Sequence, residues 1–312
     1  MKKSVLPVLG SAAGIGFAGA YGLYRYIFYS PVGRQNDDHA ISLPYLSDEA
    51  LARSHALIDR LNARPYERVS VTSFDGLRLA GRYYYSRQGA PLVILCHGYR
   101  GTPTRDFCGG AEICLSAGYN VLLIEQRAHC SSEGHTISFG VNERYDCLTW
   151  TQYAAERFGP KVRILLAGIS MGAASVLMAS ALPLPENVRG ILADCPYTSP
   201  RDIILEVGRH RGLPVDALWP LVCLAARLYG GFSPDEADAA EAVKHAKVPI
   251  LLIHGEADAF VPCAMSRRIA AAAPDRIELH SFPGAGHGVS YLTDTARYTR
   301  LVTEFCRRVL ES

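Results

Sequence analysis

The pentapeptide Gly-Ile-Ser-Met-Gly at residues 168–172 constrains the fold of this chain more than any other feature. A mostly apolar run, residues 162–167, leads into it, and a run of small residues, 173–181, follows it. This order predicts a strand, a tight turn and a helix, the setting in which a serine is exposed on a strained corner as a nucleophile. The two glycines suit such a turn, because a Cβ at either place would clash with a neighbouring strand or helix.

A serine hydroxyl such as that of Ser170 is a weak nucleophile at neutral pH, so a base and a carboxylate must assist it. His287 is the best candidate for the base, since it lies in a glycine-rich loop after a short apolar run. Asp258 is the best candidate for the carboxylate, because it follows a predicted apolar strand. Asp194, at the end of another predicted strand, remains an alternative acid. Together these residues favour a catalytic triad.

A triad that transfers acyl groups also needs amide donors for the oxyanion. A buried-looking strand ends in His-Gly-Tyr at residues 97–99, which makes the amide of Tyr99 one candidate donor. The amide of Met171, the residue after the nucleophile, is the other. His97 and His254 each lie in a strand-end His-Gly pair, and we expect them to brace loops rather than to catalyse.

From about Val69 to the C-terminus, the chain resembles the α/β-hydrolase superfamily, in particular bacterial serine hydrolases with a short helical lid, the serine aminopeptidase-like group. The motifs that carry the resemblance are the elbow, the histidine loop, an Asp-Gly hairpin and an acidic-x-Arg loop, at residues 168–172, 283–288, 74–79 and 125–132. The chain order Ser170, Asp258, His287 is the order of that fold. The resemblance implies an α/β-hydrolase fold, with a mostly parallel central sheet, helices on both faces and a short helical lid. Alternation of apolar strands with helical stretches agrees with this.

The loop at residues 125–132 departs from the family's acidic-x-Arg-Gly-His-Gly-x-Ser pattern. Ala128 and Cys130 stand where glycines are usual, and Glu125 stands where aspartate is usual. In the family this loop is structural, so the departures concern local backbone geometry and not the triad.

Composition excludes several classes of function. With 32 basic and 30 acidic residues the net charge is only +2, which gives no footprint for nucleic acid. The nine cysteines form no Cys-x-x-Cys pair and no metal-ligand pattern, so we expect neither a disulfide framework nor a metal site. The pattern favours a reducing compartment. No organic cofactor is expected either, because a Gly-x-Gly-x-x-Gly match at residues 14–19 has no strand before it.

The first residues suggest a membrane segment. Residues 4–24 carry no charge and lead into a cluster of aromatic residues, which predicts a transmembrane anchor within residues 1–30. A cleaved signal peptide, with a small-residue site at residues 18–20, is the alternative. The anchor is favoured because the apolar stretch is long and ends in an aromatic belt. Two lysines before it and two arginines after it, at positions 2, 3, 25 and 34, weakly place the hydrolase domain outside the cytoplasm.

The remaining chain divides into two parts. Residues 31–66 are interpreted as a linker and an amphipathic helix with Ser47 as its N-cap. Residues 67–312 are interpreted as the α/β-hydrolase domain, with a lid insertion at about 199–231 that begins in a capped helix. The second lid helix is apolar almost all round, and we expect it to line the substrate pocket through Leu218, Trp219 and Leu221. A purely structural lid is the alternative.

These features together predict a membrane-tethered serine hydrolase that acts by acyl transfer. The expected substrate is a small-molecule or lipid-like ester, with a peptide or amide as the alternative for the same triad. A different class is a catalytically silent hydrolase-like interaction module. A missing triad member would favour that class, and none is missing from the sequence.

Overall fold

The computed structural model describes residues 6–31, 38–39 and 47–311, with side chains from residue 16 onward. The strands are β1 (Glu67–Thr72), β2 (Arg78–Tyr84), β3 (Leu92–Cys96), β4 (Asn120–Glu125), β5 (Ile164–Ile169), β6 (Val188–Asp194), β7 (Ile250–Gly255) and β8 (Ile277–Phe282). They form one sheet in the order β1-β2-β4-β3-β5-β6-β7-β8.

Helices cover both faces of this sheet. They are α1 (Leu6–Ile27), α2 (Asp48–Ala63), α3 (Pro103–Ser116), α4 (Glu143–Phe158), α5 (Met171–Ala179), α6 (Pro200–His210), α7 (Val215–Ala225), α8 (Ala239–Ala242), α9 (Cys263–Ala272), α10 (Ser290–Thr293) and α11 (Thr295–Leu310). A single π-helical turn, Ala226–Gly230, extends α7, and a 3-10 turn, Val243–His245, follows α8.

The sheet is parallel from β4 to β8, while β1 and β2 form an antiparallel hairpin that continues the sheet at one edge. Every residue of β3 and of β4 is buried, as expected for strands covered on both faces. The predicted fold class, an α/β-hydrolase fold, is confirmed.

The register of the parallel strands brings their carboxyl ends to one edge. Ile169 at the end of β5 pairs with Asp194 at the end of β6, which pairs in turn with Ile253 of β7. Residues that follow β3, β5, β6, β7 and β8 therefore meet at the same edge, where α/β sheets bind their ligands.

Two predicted helix starts are confirmed by their caps. The Ser47 side chain accepts a hydrogen bond from the Ala50 amide at 3.2 Å at the start of α2. The Ser199 side chain accepts one from the Asp202 amide at 3.0 Å at the start of α6. In both helices the serine satisfies an amide that has no partner within the helix.

The predicted membrane anchor at residues 4–24 is wrong. Among the described residues, none of the helices is both long enough and apolar enough to cross a membrane. Helix α1 instead packs on the domain, because its Ala20 and Tyr24, and Phe28 directly after it, are buried in the main hydrophobic core. The aromatic residues that resembled an interfacial belt are thus partly core residues.

The predicted placement of the domain outside the cytoplasm depended on that anchor and loses its basis with it. Three of the four cations used to infer the orientation, Lys2, Lys3 and Arg34, lie outside the described residues.

Candidate active site

Ser170 occupies the sharp turn between β5 and α5. Its backbone has φ 54° and ψ −116°, a conformation that residues other than glycine rarely adopt. A Cβ at Gly168 would lie 2.3 Å from the backbone of Gly172, and a Cβ at Gly172 would lie 1.8 Å from the carbonyl oxygen of Cys96. A side chain at the first position would therefore clash with the helix, and one at the second would clash with a neighbouring strand, as predicted. Both positions require glycine.

Three predicted site residues meet at the carboxyl edge of the sheet. His287 Nε2 lies 2.9 Å from Ser170 Oγ, and His287 Nδ1 lies 2.7 Å from Asp258 Oδ2. The three side chains follow different strands, β5, β7 and β8. They form one continuous series of hydrogen bonds.

The Asp258 carboxylate is held in its ionised form. Burial alone would raise its pKa, but hydrogen bonds from His254 and His287 and from the amide of Val261 lower the pKa well below its ordinary value. Its Oδ1 accepts from the amides of Phe260 and Val261 at 2.9 and 2.8 Å. The carboxylate therefore stays negative at neutral pH.

An ionised Asp258 determines the tautomer of His287. The carboxylate can only accept a hydrogen bond, so the proton of the neutral ring lies on Nδ1. Nε2 then carries a lone pair and accepts from the hydroxyl of Ser170. This is the protonation state in which the histidine can act as a base toward that serine.

Asp194 has a different set of partners. Its Oδ2 accepts from the Tyr298 hydroxyl at 3.0 Å, and its Oδ1 has no hydrogen-bond partner among the described residues. Burial raises the pKa of Asp194 to about 6. The structure thus brings Asp258, and not Asp194, into hydrogen bonding with His287.

The two proposed oxyanion donors lie on either side of Ser170. Met171 is the first residue of α5, where amides have no acceptor within the helix. On the other side is the segment after β3, residues 97–102, which we call the oxyanion loop. A Cβ at its Gly98 would lie 3.4 Å from Ser170 Cβ, and Tyr99 lines the cavity at the serine.

A cavity of about 400 Å³ opens beside Ser170, lined by residues of α2, α3, α10 and α11. Its apolar side chains come from these helices, from the end of β5 and from the triad loops, and they include Phe107, Ile169, Phe260, Val289, Tyr291 and Leu292. Its polar side chains include Ser54, Arg105, Asp106, Asp194 and Tyr298.

The lid residues expected to line the substrate pocket lie elsewhere. Leu218, Trp219 and Leu221 are not among the side chains that line the cavity at Ser170. Leu221 instead approaches α1, with its Cδ2 3.5 Å from the position of a Cβ on Gly19, and Trp219 is buried. The physical reason is that α7 packs against α1, which takes up part of its apolar surface.

Sequence patterns did not indicate the helices that line the cavity in place of the lid. The signal that could have been used is the pair Gly109-Gly110 inside α3, since glycine is unfavourable in a helix. A Cβ at Gly109 would lie 2.4 Å from the ring of Tyr291, so the glycine lets this ring pack on α3. Nothing in the sequence around Tyr291 marks it as a lining residue.

His97 and His254 brace loops, as expected. His97 Nδ1 lies 2.9 Å from the carbonyl oxygen of Gly98, and its Nε2 accepts from the amide of Gln126 at 3.1 Å. His254 bonds Ser266 and the carbonyl of Val261 across the loop that carries Asp258.

The loop at residues 125–132 keeps its turn without the usual glycines. Ala128 and Cys130 have φ of 61° and 49°, so both adopt the left-handed conformation that glycine adopts without strain.

One group of potential metal ligands occurs among the described residues. Cys195, Asp258 and His287 offer atoms within 4.8 Å of one another. However, the carboxylate and the imidazole are already bonded to each other, and burial raises the pKa of the Cys195 thiol well above its ordinary value. A thiol held in its neutral form is a poor metal ligand.

Residues 133–312 match the prolyl oligopeptidase family. Among curated proteins, YqkD of Bacillus subtilis, described as uncharacterized, is 23% identical over 256 residues, which cover 79% of this chain and 83% of YqkD.

Solved structures extend the likeness to most of the chain. The Pyrococcus furiosus esterase Pf2001 has a TM-score of 0.66 at 23% identity, covering 80% of this chain and 94% of that one. The Pyrococcus horikoshii acylaminoacyl peptidase has a TM-score of 0.60 at 16% identity, covering 82% of this chain and 43% of that one. These likenesses establish a shared fold.

Proposed function

The chain belongs to the prolyl oligopeptidase family, and on that premise we propose that it is a serine hydrolase that cleaves an ester through an acyl-enzyme. The observation that carries the proposal is the hydrogen-bonded series of Ser170, His287 and Asp258 beside a cavity. A serine with an adjacent base and an orienting carboxylate is the arrangement that activates a hydroxyl nucleophile.

In the first half of the reaction, Ser170 Oγ attacks the carbonyl carbon while His287 Nε2 takes the hydroxyl proton. The carbonyl oxygen becomes an oxyanion, to which the amides of Tyr99 and Met171 donate. Loss of one such donor costs about 2.7–4 kcal/mol in a comparable hydrolase. Collapse of the tetrahedral intermediate then breaks the ester bond, and His287 gives its proton to the departing alcohol.

In the second half, water attacks the acyl-enzyme. His287 Nε2 takes a proton from the water, and the oxyanion forms again in the same place. Collapse releases the carboxylic acid and returns the proton to Ser170. Throughout, the ionised Asp258 stabilises the imidazolium and holds the ring in the tautomer that faces the serine.

The cavity supports a small-molecule or lipid-like ester as the substrate. Its volume of about 400 Å³ lies in the range of small-ligand sites, roughly 300–1,000 Å³. We place the acyl group between Phe107 of α3 and Tyr291 of α10, next to Ile169 and Val289, because these side chains offer apolar surface close to the nucleophile.

We favour an ester over a peptide because the chain covers a larger fraction of the similar esterase than of the similar peptidase. The chain matches nearly the whole length of the P. furiosus esterase but less than half of the acylaminoacyl peptidase. The family itself, named for an oligopeptidase, keeps a peptide or amide as the second candidate.

An ester and an anilide of the same amino acid, together with a simple acyl ester, test the proposal. We expect the protein to hydrolyse N-acetylalanine 4-nitrophenyl ester and 4-nitrophenyl butyrate, and not N-acetylalanine 4-nitroanilide. The control variant Ser170→Ala should remain folded and should show no turnover. Turnover of the anilide would favour the peptidase. Absence of any turnover by the folded wild-type protein would favour the silent interaction module.

A further inference from the structure

The oxyanion loop is bonded to the C-terminal end of α1. The Tyr99 hydroxyl donates to the carbonyl oxygen of Ile27 at 2.8 Å. The Arg100 guanidinium donates to the carbonyl oxygens of Tyr26 and Tyr29 at 3.1 and 3.2 Å. Two consecutive side chains of the loop are therefore held by two backbone carbonyls in the last turn of α1 and by a third, that of Tyr29, two residues beyond its end.

These bonds satisfy a need of the helix itself. The last carbonyls of a helix have no donor within it, and the partial negative charge there favours a nearby cation. Arg100 supplies the cation and Tyr99 supplies a further donor. The attraction between the end of α1 and these two side chains therefore does not depend on a bound substrate.

The residue directly after α1, Phe28, anchors the end of the helix in the core. The Phe28 side chain is fully buried, and its ring meets those of Phe139 and Phe232 edge-on at 5.9 and 5.3 Å. The Tyr99 ring stacks on the same Phe139 at 5.0 Å. The loop and the helix thus share a packed aromatic contact besides their hydrogen bonds.

The oxyanion loop needs such an anchor because its backbone is strained. Arg100 has φ 51°, a left-handed conformation in which a side chain is unfavourable. Strained backbone persists at functional sites only where the surrounding contacts hold it. Two contacts on the other side are the Arg100 amide, which donates to His129 Nε2 at 2.9 Å, and the Gly98 amide, which donates to Asp106 Oδ2 at 2.8 Å.

We propose that α1 positions the oxyanion hole: its terminal carbonyls hold the side chains of Tyr99 and Arg100, and these fix the Tyr99 amide beside Ser170. The inference rests on the proposed function, in which that amide stabilises the oxyanion. Both side chains are positioning groups, since neither touches the reacting atoms. The helix that precedes the α/β sheet in the chain thereby becomes a determinant of catalytic rate.

The full-length variants Tyr99→Phe and Arg100→Ala test this role, with Tyr24→Phe as the matched control. Tyr24 lies on the same helix, and its hydroxyl bonds Thr136 at 2.8 Å, away from the oxyanion loop. For each protein, kcat and KM are measured with 4-nitrophenyl butyrate. The inhibition constant is measured for an alkyl trifluoromethyl ketone, which forms a tetrahedral oxyanion with an active serine.

We expect kcat to fall at least tenfold in Tyr99→Phe and in Arg100→Ala, and the inhibition constant to rise by a similar factor. KM should stay within twofold, since the oxyanion forms only after the substrate binds. Removing an oxyanion donor outright lowers kcat by roughly 10²–10³. A misplaced donor should cost less, which is why we expect a loss of at least tenfold. In Tyr24→Phe all three constants should remain within twofold of the wild type.

A kcat within twofold of wild type in Tyr99→Phe would overturn the inference, and so would an equal loss in Tyr24→Phe. Tyr99→Phe keeps the aromatic ring and decides the question even where Arg100→Ala unfolds, which thermal unfolding reports. A wild-type protein without ester turnover would contradict the proposed function itself. Turnover by the wild type together with an unaffected Tyr99→Phe would contradict only the role of α1.

Discussion

Two buried carboxylates near His287 differ in what each contacts, and this difference assigns their roles. Asp258 bonds the imidazole at 2.7 Å and is held ionised, whereas Asp194 bonds the Tyr298 hydroxyl. We expect Asp258→Asn to lower kcat by about 10⁴, because the histidine then loses the partner that selects its tautomer. Asp194→Asn should lower it far less. Rates with 4-nitrophenyl butyrate check this, and the reverse ranking would move the triad acid to Asp194.

Asp194 should also make stability depend on pH. Burial raises its pKa in the folded protein to about 6 from an ordinary 3.8. Its contribution to stability is therefore fully present below pH 4 and is lost as the pH rises through 6. The shift of about two units corresponds to about 3 kcal/mol.

Asp194→Asn removes this dependence and still leaves an oxygen that can accept from Tyr298. The free energy of unfolding of the variant, relative to wild type, should rise by a few kcal/mol between pH 4 and pH 7. Urea unfolding at several pH values measures it. A difference between the two proteins that does not change with pH would show that Asp194 does not titrate in this range.

The sequence was most informative about the individual residues of the candidate site. Ser170 could be found because the elbow needs glycines at fixed positions, and His287 and Asp258 because each follows a recognisable strand. The bond between Asp194 and Tyr298 could not be predicted. It depends on how α11 rotates against the sheet, which no local pattern records.

At the scale of elements, the cavity beside Ser170 is bounded by α3 and α10, and Tyr291 of α10 lines it. If the acyl group binds there as proposed, this residue limits its length. We expect Tyr291→Ala to move the preferred acyl chain to longer esters, because the vacated space admits further methylenes. Each buried methylene contributes about 0.8 kcal/mol. A series of 4-nitrophenyl esters of increasing chain length measures the shift.

Leu218→Ala is the matched control for that series, since Leu218 is a partly buried lid residue that does not line the cavity. Its chain-length profile should follow that of the wild type. A shift in Leu218→Ala together with an unchanged profile in Tyr291→Ala would return the substrate pocket to the lid.

The lid shows why an element can be predicted and its role missed. The cap at Ser199 and the apolar composition of α7 indicated a buried helix, and a helix is present. An apolar helix can bury its surface against a substrate or against another helix. The second happens here, because α1 packs on α7 from a distant part of the chain.

At the scale of the whole molecule, the structure makes α1 a part of the hydrophobic core. Phe28→Ala should therefore lower the free energy of unfolding by about 3–5 kcal/mol, the usual cost of truncating a buried phenylalanine. Phe28 lies directly after the last residue of α1, and Phe17, within α1, is 52% exposed. Phe17→Ala should change stability by no more than about 0.5 kcal/mol.

Chemical denaturation of both variants measures the two values. A Phe28→Ala variant as stable as wild type would show that α1 is not packed on the core in solution.

The same helix explains why the N-terminal prediction failed. An uncharged, aromatic-rich stretch is typical both of a membrane segment and of a helix that packs on a protein. Composition does not distinguish them, and only the burial of Tyr24 and Phe28 does. By contrast, the fold class could be predicted, because the alternation of apolar strands with helical stretches, the elbow and the chain order of the triad all indicate one fold.

Ser170 is proposed as the nucleophile of an acyl-transfer reaction. The most direct measurement is the reaction of the full-length protein with a fluorophosphonate, followed by intact mass and peptide mapping. We expect one adduct, on Ser170, and none in Ser170→Ala. An adduct on another residue, or an enzyme that hydrolyses esters without being labelled, would contradict the account.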